Sequence, residues 1–173
     1  MRAPQVYDIF IRFEDRSAEL YLDLSVRFFA DPELSWFWVE MAMEEKQHAG
    51  LLRYCRDANV FTTQLPDASE IQKLAALFSR LQRSILNESL TVDAAFEIAI
   101  LLETSEINDI YRRLTAPIQG PQHILQKKLE ISVEHHFRKL LAAAQKYGVS
   151  SGLLDRLAQL ATFELPHPPL PSR

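Results

Sequence analysis

The sequence predicts an all-α fold: a four-helix bundle of two antiparallel helix pairs joined by one long crossover, with a short helix after it. Three observations predict it. The chain has 173 residues and only four glycines, well under the roughly 7% of average usage, which leaves few turn-formers for a many-stranded sheet. Apolar residues recur at steps of three and four through four long segments. The first and third connections between these segments are short and the second is long.

The first helix spans about Gln5 to Phe29, with Tyr7, Phe10, Ile11, Ala18, Tyr21, Leu22 and Val26 on one apolar face. Asp31-Pro32-Glu33 then starts the second, about Pro32 to Ala58. Asp can cap free amides, Pro is tolerated at the first helical position, and Glu suits the positive end of the helix dipole. So short a turn makes the two helices antiparallel neighbours. Residues Asn59 to Leu90 form the crossover; Thr62, Thr63 and Pro66 interrupt helical spacing, which resumes from Asp67 to about Ile85. The third helix runs from Thr91, a possible cap, unbroken to Leu114, before Pro117 and Gly120, and the fourth from about Pro121 to Tyr147, with Gly148 placed to end it. Residues 1–148 are thus the bundle, and 149–173 a short amphipathic stretch, Leu153 to Ala161, with a tail holding four prolines.

Composition removes several function classes. With 19 Lys and Arg against 23 Asp and Glu, the net charge is −4 and the basic residues are dispersed, so no nucleic-acid surface is expected. No apolar run approaches the roughly 18 residues of a membrane span, and the N-terminus does not read as a signal peptide, so no membrane association or export is expected. Cys55 stands alone, which excludes an internal disulfide, a four-cysteine metal site and a CxxC redox pair, and fits a reducing, cytoplasmic setting. It reads as a small buried apolar residue.

The informative residues are acidic. Glu14 interrupts the apolar face of the first helix, three residues after Ile11 and four before Ala18. On the second helix Met41, Glu45, His48 and Leu52 share a stripe, and Glu45 and His48, three residues apart, can reach one ion. On the third, Ala95, Ala99, Glu103, Ile107 and Tyr111 form an i+4 row. Glu14 and Glu45 lie 17 and 14 residues from the turn at Asp31; Glu103 and Val133 each lie 15 from Ile118. At about 1.5 Å per residue, all four positions fall roughly 21 to 26 Å from their turns. Buried carboxylates at one depth repel each other and lose hydration unless they are protonated or bind cations. Di-metal carboxylate bundles resolve this with a Glu from each of two helices and a Glu-x-x-His from each of the others.

The segments Glu14-x-x-x-Ala18-x-x-Tyr21, Glu44-Glu45-Lys-Gln-His48-Ala-Gly-Leu-Leu, Ala95-x-x-x-Ala99-x-x-x-Glu103 and Leu129-Glu130-Ile-Ser-Val-Glu134-His135-His136 resemble the rubrerythrin and ferritin-like di-iron family over about residues 7 to 141. The resemblance implies a ferritin-like bundle with Glu14, Glu45, His48 and Glu103 as metal ligands and Glu106 as an auxiliary ligand. The fourth helix departs from the family pattern: Val133 stands three residues before His136, where a Glu belongs. Glu130 and Glu134 flank that position and join His136 as candidates. Of His135 and His136, adjacent on a helix, only one can face the core. The site therefore stays open between a di-iron centre, a single ion and a vestigial centre, with manganese an alternative to iron. Rubrerythrins proper also carry a four-cysteine rubredoxin domain, which this chain cannot.

Tyr21 and Tyr111 could hydrogen-bond ligand carboxylates but read first as core packing, and Trp36, Phe37 and Trp38 as a cover for the bundle end or a dimer contact. The resemblance implies redox chemistry, as peroxide reduction or iron oxidation, with a separate electron donor and a homodimer as the default assembly. The alternatives are a di-iron oxygenase acting on an organic substrate, and a metal-free bundle serving as an interaction or regulatory module.

Overall fold

The computed structural model describes residues 1–118 and 136–162, apart from the side chains of residues 106, 161 and 162. Every regular element among them is a helix: α1 Ala3–Arg27, α2 Pro32–Asp57, α3 Ala68–Ile85, α4 Val92–Glu103, α5 Glu106–Thr115, α6 over residues 136–146, and α7 Ser151–Thr162. None is long and apolar enough to cross a membrane.

α1 and α2 form the most extensive pairing. Asp31 accepts hydrogen bonds from the Glu33 and Leu34 amides at 3.1 and 3.0 Å, so the turn reverses directly into a capped helix start. The antiparallel register is marked along the pair: Ser25 meets Ser35, Asp15 meets Lys46, and Asp8 meets Arg56. The ion pairs at the exposed edge add little stability each. Most comes from the faces between them, where Tyr7, Phe10, Leu24, Trp38, Met41 and Leu52 are wholly buried.

The crossover helix α3 carries its own capping box: Asp67 accepts from the Glu70 amide while Glu70 accepts from the Asp67 amide. It lies on the outside of the pair, with Phe78 stacked 5.2 Å from Phe13 and Gln82 donating to Asp23 at 2.7 Å. Arg113 on α5 pairs with Glu70 at its other side. Tyr7 and Tyr21 on α1 bond to Leu114 and Glu103 respectively, so the α4–α5 arm runs antiparallel to α1. α6 runs antiparallel to α2, its Lys146 meeting Glu33 and its Lys139 meeting Glu40 and Glu44. Gly148, at φ +65°, ends that segment in the left-handed region.

One element departs from expectation. The third helix is not continuous from Thr91 to Leu114: α4 stops at Glu103 and α5 starts at Glu106. The hydroxyls of Thr104 and Ser105 turn back and donate to the carbonyls of Ile100 and Leu102, both at 2.6 Å. Ser105 also receives the Ile107 amide as a new helix cap. Two adjacent hydroxyl residues thereby compete with the helical ladder and divide it. Of the expected fourth helix, residues 136–146 are helical and the remainder lies outside the described residues, as does the proline-rich tail.

Candidate metal centre

Five of the eight candidate ligands come together in the core: Glu14 (2% exposed), Glu45 (4%), His48 (1%), Glu103 (5%) and His136 (0%). They form two groups, Glu14 with Glu45 and His48, and Glu45 with Glu103 and His136. Within each, the donor atoms lie within 4.8 Å of one another. Glu45 belongs to both. Its Oε2 lies 3.4 Å from His48 Nδ1 and its Oε1 3.8 Å from His136 Nδ1, so one carboxylate presents an oxygen to each half. Glu14 Oε2 is 3.9 Å from His48 Nδ1 and Glu103 Oε2 is 3.1 Å from His136 Nδ1. The two imidazoles face each other with centroids 5.6 Å apart.

Glu130, Glu134, Val133 and His135 lie outside the described residues, as does the side chain of Glu106. The choice between the adjacent histidines is nonetheless made on one side, because His136 is wholly buried at the cluster.

The electrostatics are those of carboxylates crowded out of water. Burial, followed by the nearby Glu45 and Glu103, pushes the Glu14 carboxyl well above its ordinary range. At Glu103 burial acts the same way, but His136 and the hydrogen bonds from Tyr21 and Asn108 outweigh it and hold the carboxyl below its ordinary value. Burial opposes charge on His136 too, and Glu103, Glu44 and Glu45 reverse that, leaving it well above the usual imidazole range.

Three supporting residues have no place in the sequence expectations, or a different one. Tyr21 is buried as expected for packing, yet its hydroxyl donates to Glu103 Oε1 at 2.6 Å, so it belongs to the site. Asn108 donates to Glu103 Oε2 at 3.2 Å and to the Glu103 carbonyl at 2.8 Å. That contact exists because the helix breaks between them; on a continuous helix, residues five apart point away from each other. Glu44 contacts His136 Nε2 and, on its outer side, Lys139. Burial raises the Glu44 carboxyl and these two partners overcome it, holding it at about 2. Its adjacency to Glu45 in the sequence was visible, but its partner lies on α6. Trp38, expected at the bundle end, instead lies in the core, stacked 6.0 Å from Tyr21, whereas Trp36 is exposed.

The donor set suits a metal ion. Carboxylate oxygens with neutral imidazole nitrogen are ligands for iron, manganese and zinc, and a shared carboxylate is what two adjacent ions require. Both histidines turn Nδ1 inward, toward the carboxylates. His48 Nε2 is buried with no hydrogen-bond partner among the described residues. The buried Glu/His groups can therefore hold metal. No family model matches the chain, and no match is found among curated proteins or solved structures.

Proposed function

We propose that this chain is a ferritin-like, carboxylate-bridged metal protein, similar to rubrerythrins, that binds iron and performs redox chemistry with oxygen or peroxide. The observation that carries this reading is Glu45, shared between two buried groups that each hold two carboxylates and one imidazole. Glu45 would bridge; Glu14 with His48, and Glu103 with His136, would complete the two halves. An iron pair supplies one electron from each ion, the number that takes hydrogen peroxide to two waters. The chain's own residues hold these groups in place, keep bulk water out, and keep a proton on the Tyr21 hydroxyl, which burial and then the neighbouring Glu103 hold well above its ordinary pKa. Return of electrons calls for a separate donor.

One observation favours a second reading. His136 lies between Glu103 and Glu44, a compensated arrangement of charge that lets the core persist without an ion. A metal-free bundle acting as an interaction module would look the same there.

Metal content after anaerobic ferrous loading separates the two, with a Glu45→Ala, His48→Ala double variant as control. About two irons per chain that vanish in the variant support the redox reading, and about one supports a centre reduced to a single ion. None would sink it in favour of the metal-free bundle.

A further inference from the structure

The two halves of the centre offer the same donors but are not held equally. Each contributes two carboxylates, one of them the shared Glu45, and one imidazole. The Glu103 half is braced from outside: Tyr21 and Asn108 both donate to the Glu103 carboxylate, and Glu44 takes up the far nitrogen of His136 while itself tied to Lys139. Among the described residues the Glu14 half has no such frame. Among the described residues Glu14 receives no hydrogen bond from outside the cluster, and His48 Nε2 is buried without a partner. The face of the His48 ring packs against Tyr111, 4.7 Å away.

A metal-bound histidine ordinarily donates its other ring N–H to a carboxylate, carbonyl or water, which fixes its tautomer and orientation and strengthens it as a ligand. His136 Nε2 has the Glu44 carboxylate against it, and among the described residues His48 Nε2 has no partner. We propose, resting on the metal-binding reading above, that the centre fills in order. The Glu45–Glu103–His136 position takes the first ion and holds it tightly, Glu44 acting as the positioning residue for His136. The Glu14–Glu45–His48 position takes the second ion more weakly and exchanges it. The consequence is a protein that stays singly occupied at low metal and becomes a two-ion centre only when metal is plentiful.

The test is an anaerobic Co(II) titration of the full chain, followed by the visible absorption of the bound ion and by calorimetry. The expected wild-type result is two steps separated by at least about tenfold in affinity, given that losing such an outer partner costs roughly 10- to 100-fold. His48→Ala should keep the first step and lose the second. Glu44→Gln should weaken the first step by about tenfold and leave the second, and Asn108→Ala, a milder change remote from His136, should shift the first step in the same direction. Thermal melts of the metal-free variants establish that each is folded. Two ions bound in a single step of equal affinity, or loss of the first step in His48→Ala, would overturn the ordering while leaving metal binding intact. A wild-type chain that binds no Co(II) would overturn both.

Discussion

The Tyr21 hydroxyl donates a 2.6 Å hydrogen bond to Glu103 Oε1, tying the middle of α1 to the last residue of α4 inside the core. Both residues are almost wholly excluded from solvent, so the bond has no water to replace it. Tyr21→Phe keeps the ring stacked on Trp38 and removes only the donor. It should lower the unfolding free energy of the metal-free protein by about 2 kcal/mol, the range for a hydrogen bond to a charged acceptor. Urea unfolding monitored by far-ultraviolet circular dichroism measures this. A change below about 0.5 kcal/mol would mean that Glu103 does not depend on Tyr21.

Because Glu45 alone belongs to both groups, replacing it should behave unlike replacing any other ligand. Glu45→Ala should abolish binding of both ions, whereas Glu14→Ala should remove about one. Mass spectrometry of metal-loaded protein under native conditions counts them. Equal losses in the two variants would contradict the bridging geometry.

Tyr7 gives a pH dependence that is independent of the metal site. Its hydroxyl donates to the Leu114 carbonyl at 2.6 Å, and burial raises its pKa from 10 to about 12, against the opposing Thr62 amide. Below pH 10 the group is neutral whether folded or not. As pH rises from 10 toward 12, the unfolded chain ionises first and is favoured, so stability is lost. The stability advantage of wild type over Tyr7→Phe should therefore shrink by about 1 kcal/mol between pH 9 and pH 11. Parallel urea titrations of the two proteins across that window provide the check, and an unchanged gap would show that the hydroxyl is not buried as described.

Two helix ends should cost similar amounts through different physics. Asp31→Ala removes the side-chain acceptor for two amides at the start of α2, at about 1 kcal/mol. Gly148→Ala meets no atom within 4 Å, so its cost is the strain of φ +65° alone, again about 1 kcal/mol. Thermal melts of the two single variants check both values.

Much of this architecture was legible because it is written in short-range terms. The turn at Asp31-Pro32, the helical spacing that resumes at Asp67, and the Gly148 stop are all local signals, and each appears where the spacing places it. Glu14, Glu45, His48 and Glu103 were legible because a carboxylate or imidazole on an apolar helical face must go inward with its neighbours, whereas spacing alone could not choose between His135 and His136. What stayed hidden depends on relations that periodicity does not encode. Thr104 and Ser105 each fit a helix when taken singly, and only their joint back-bonding to Ile100 and Leu102 divides it. Asn108 becomes a partner of Glu103 through that division, and Glu44 acquires its role from a residue 92 positions later, His136. Packing, not pattern, recruits such second partners.

The seam between α4 and α5 also offers a gauge of whether the proposed metal site is filled. Glu103 closes one short helix and Asn108 sits in the first turns of the next, so the bond between them spans the interruption at Thr104 and Ser105. Two short helices meeting end to end open more readily than one long rod, because each end has fewer ladder bonds to hold it. Whatever steadies the Glu103 carboxylate therefore steadies the seam. Amide hydrogen exchange at residues 104–107 would register an ion held at Glu103, so filling of the proposed centre could be followed without relying on its colour.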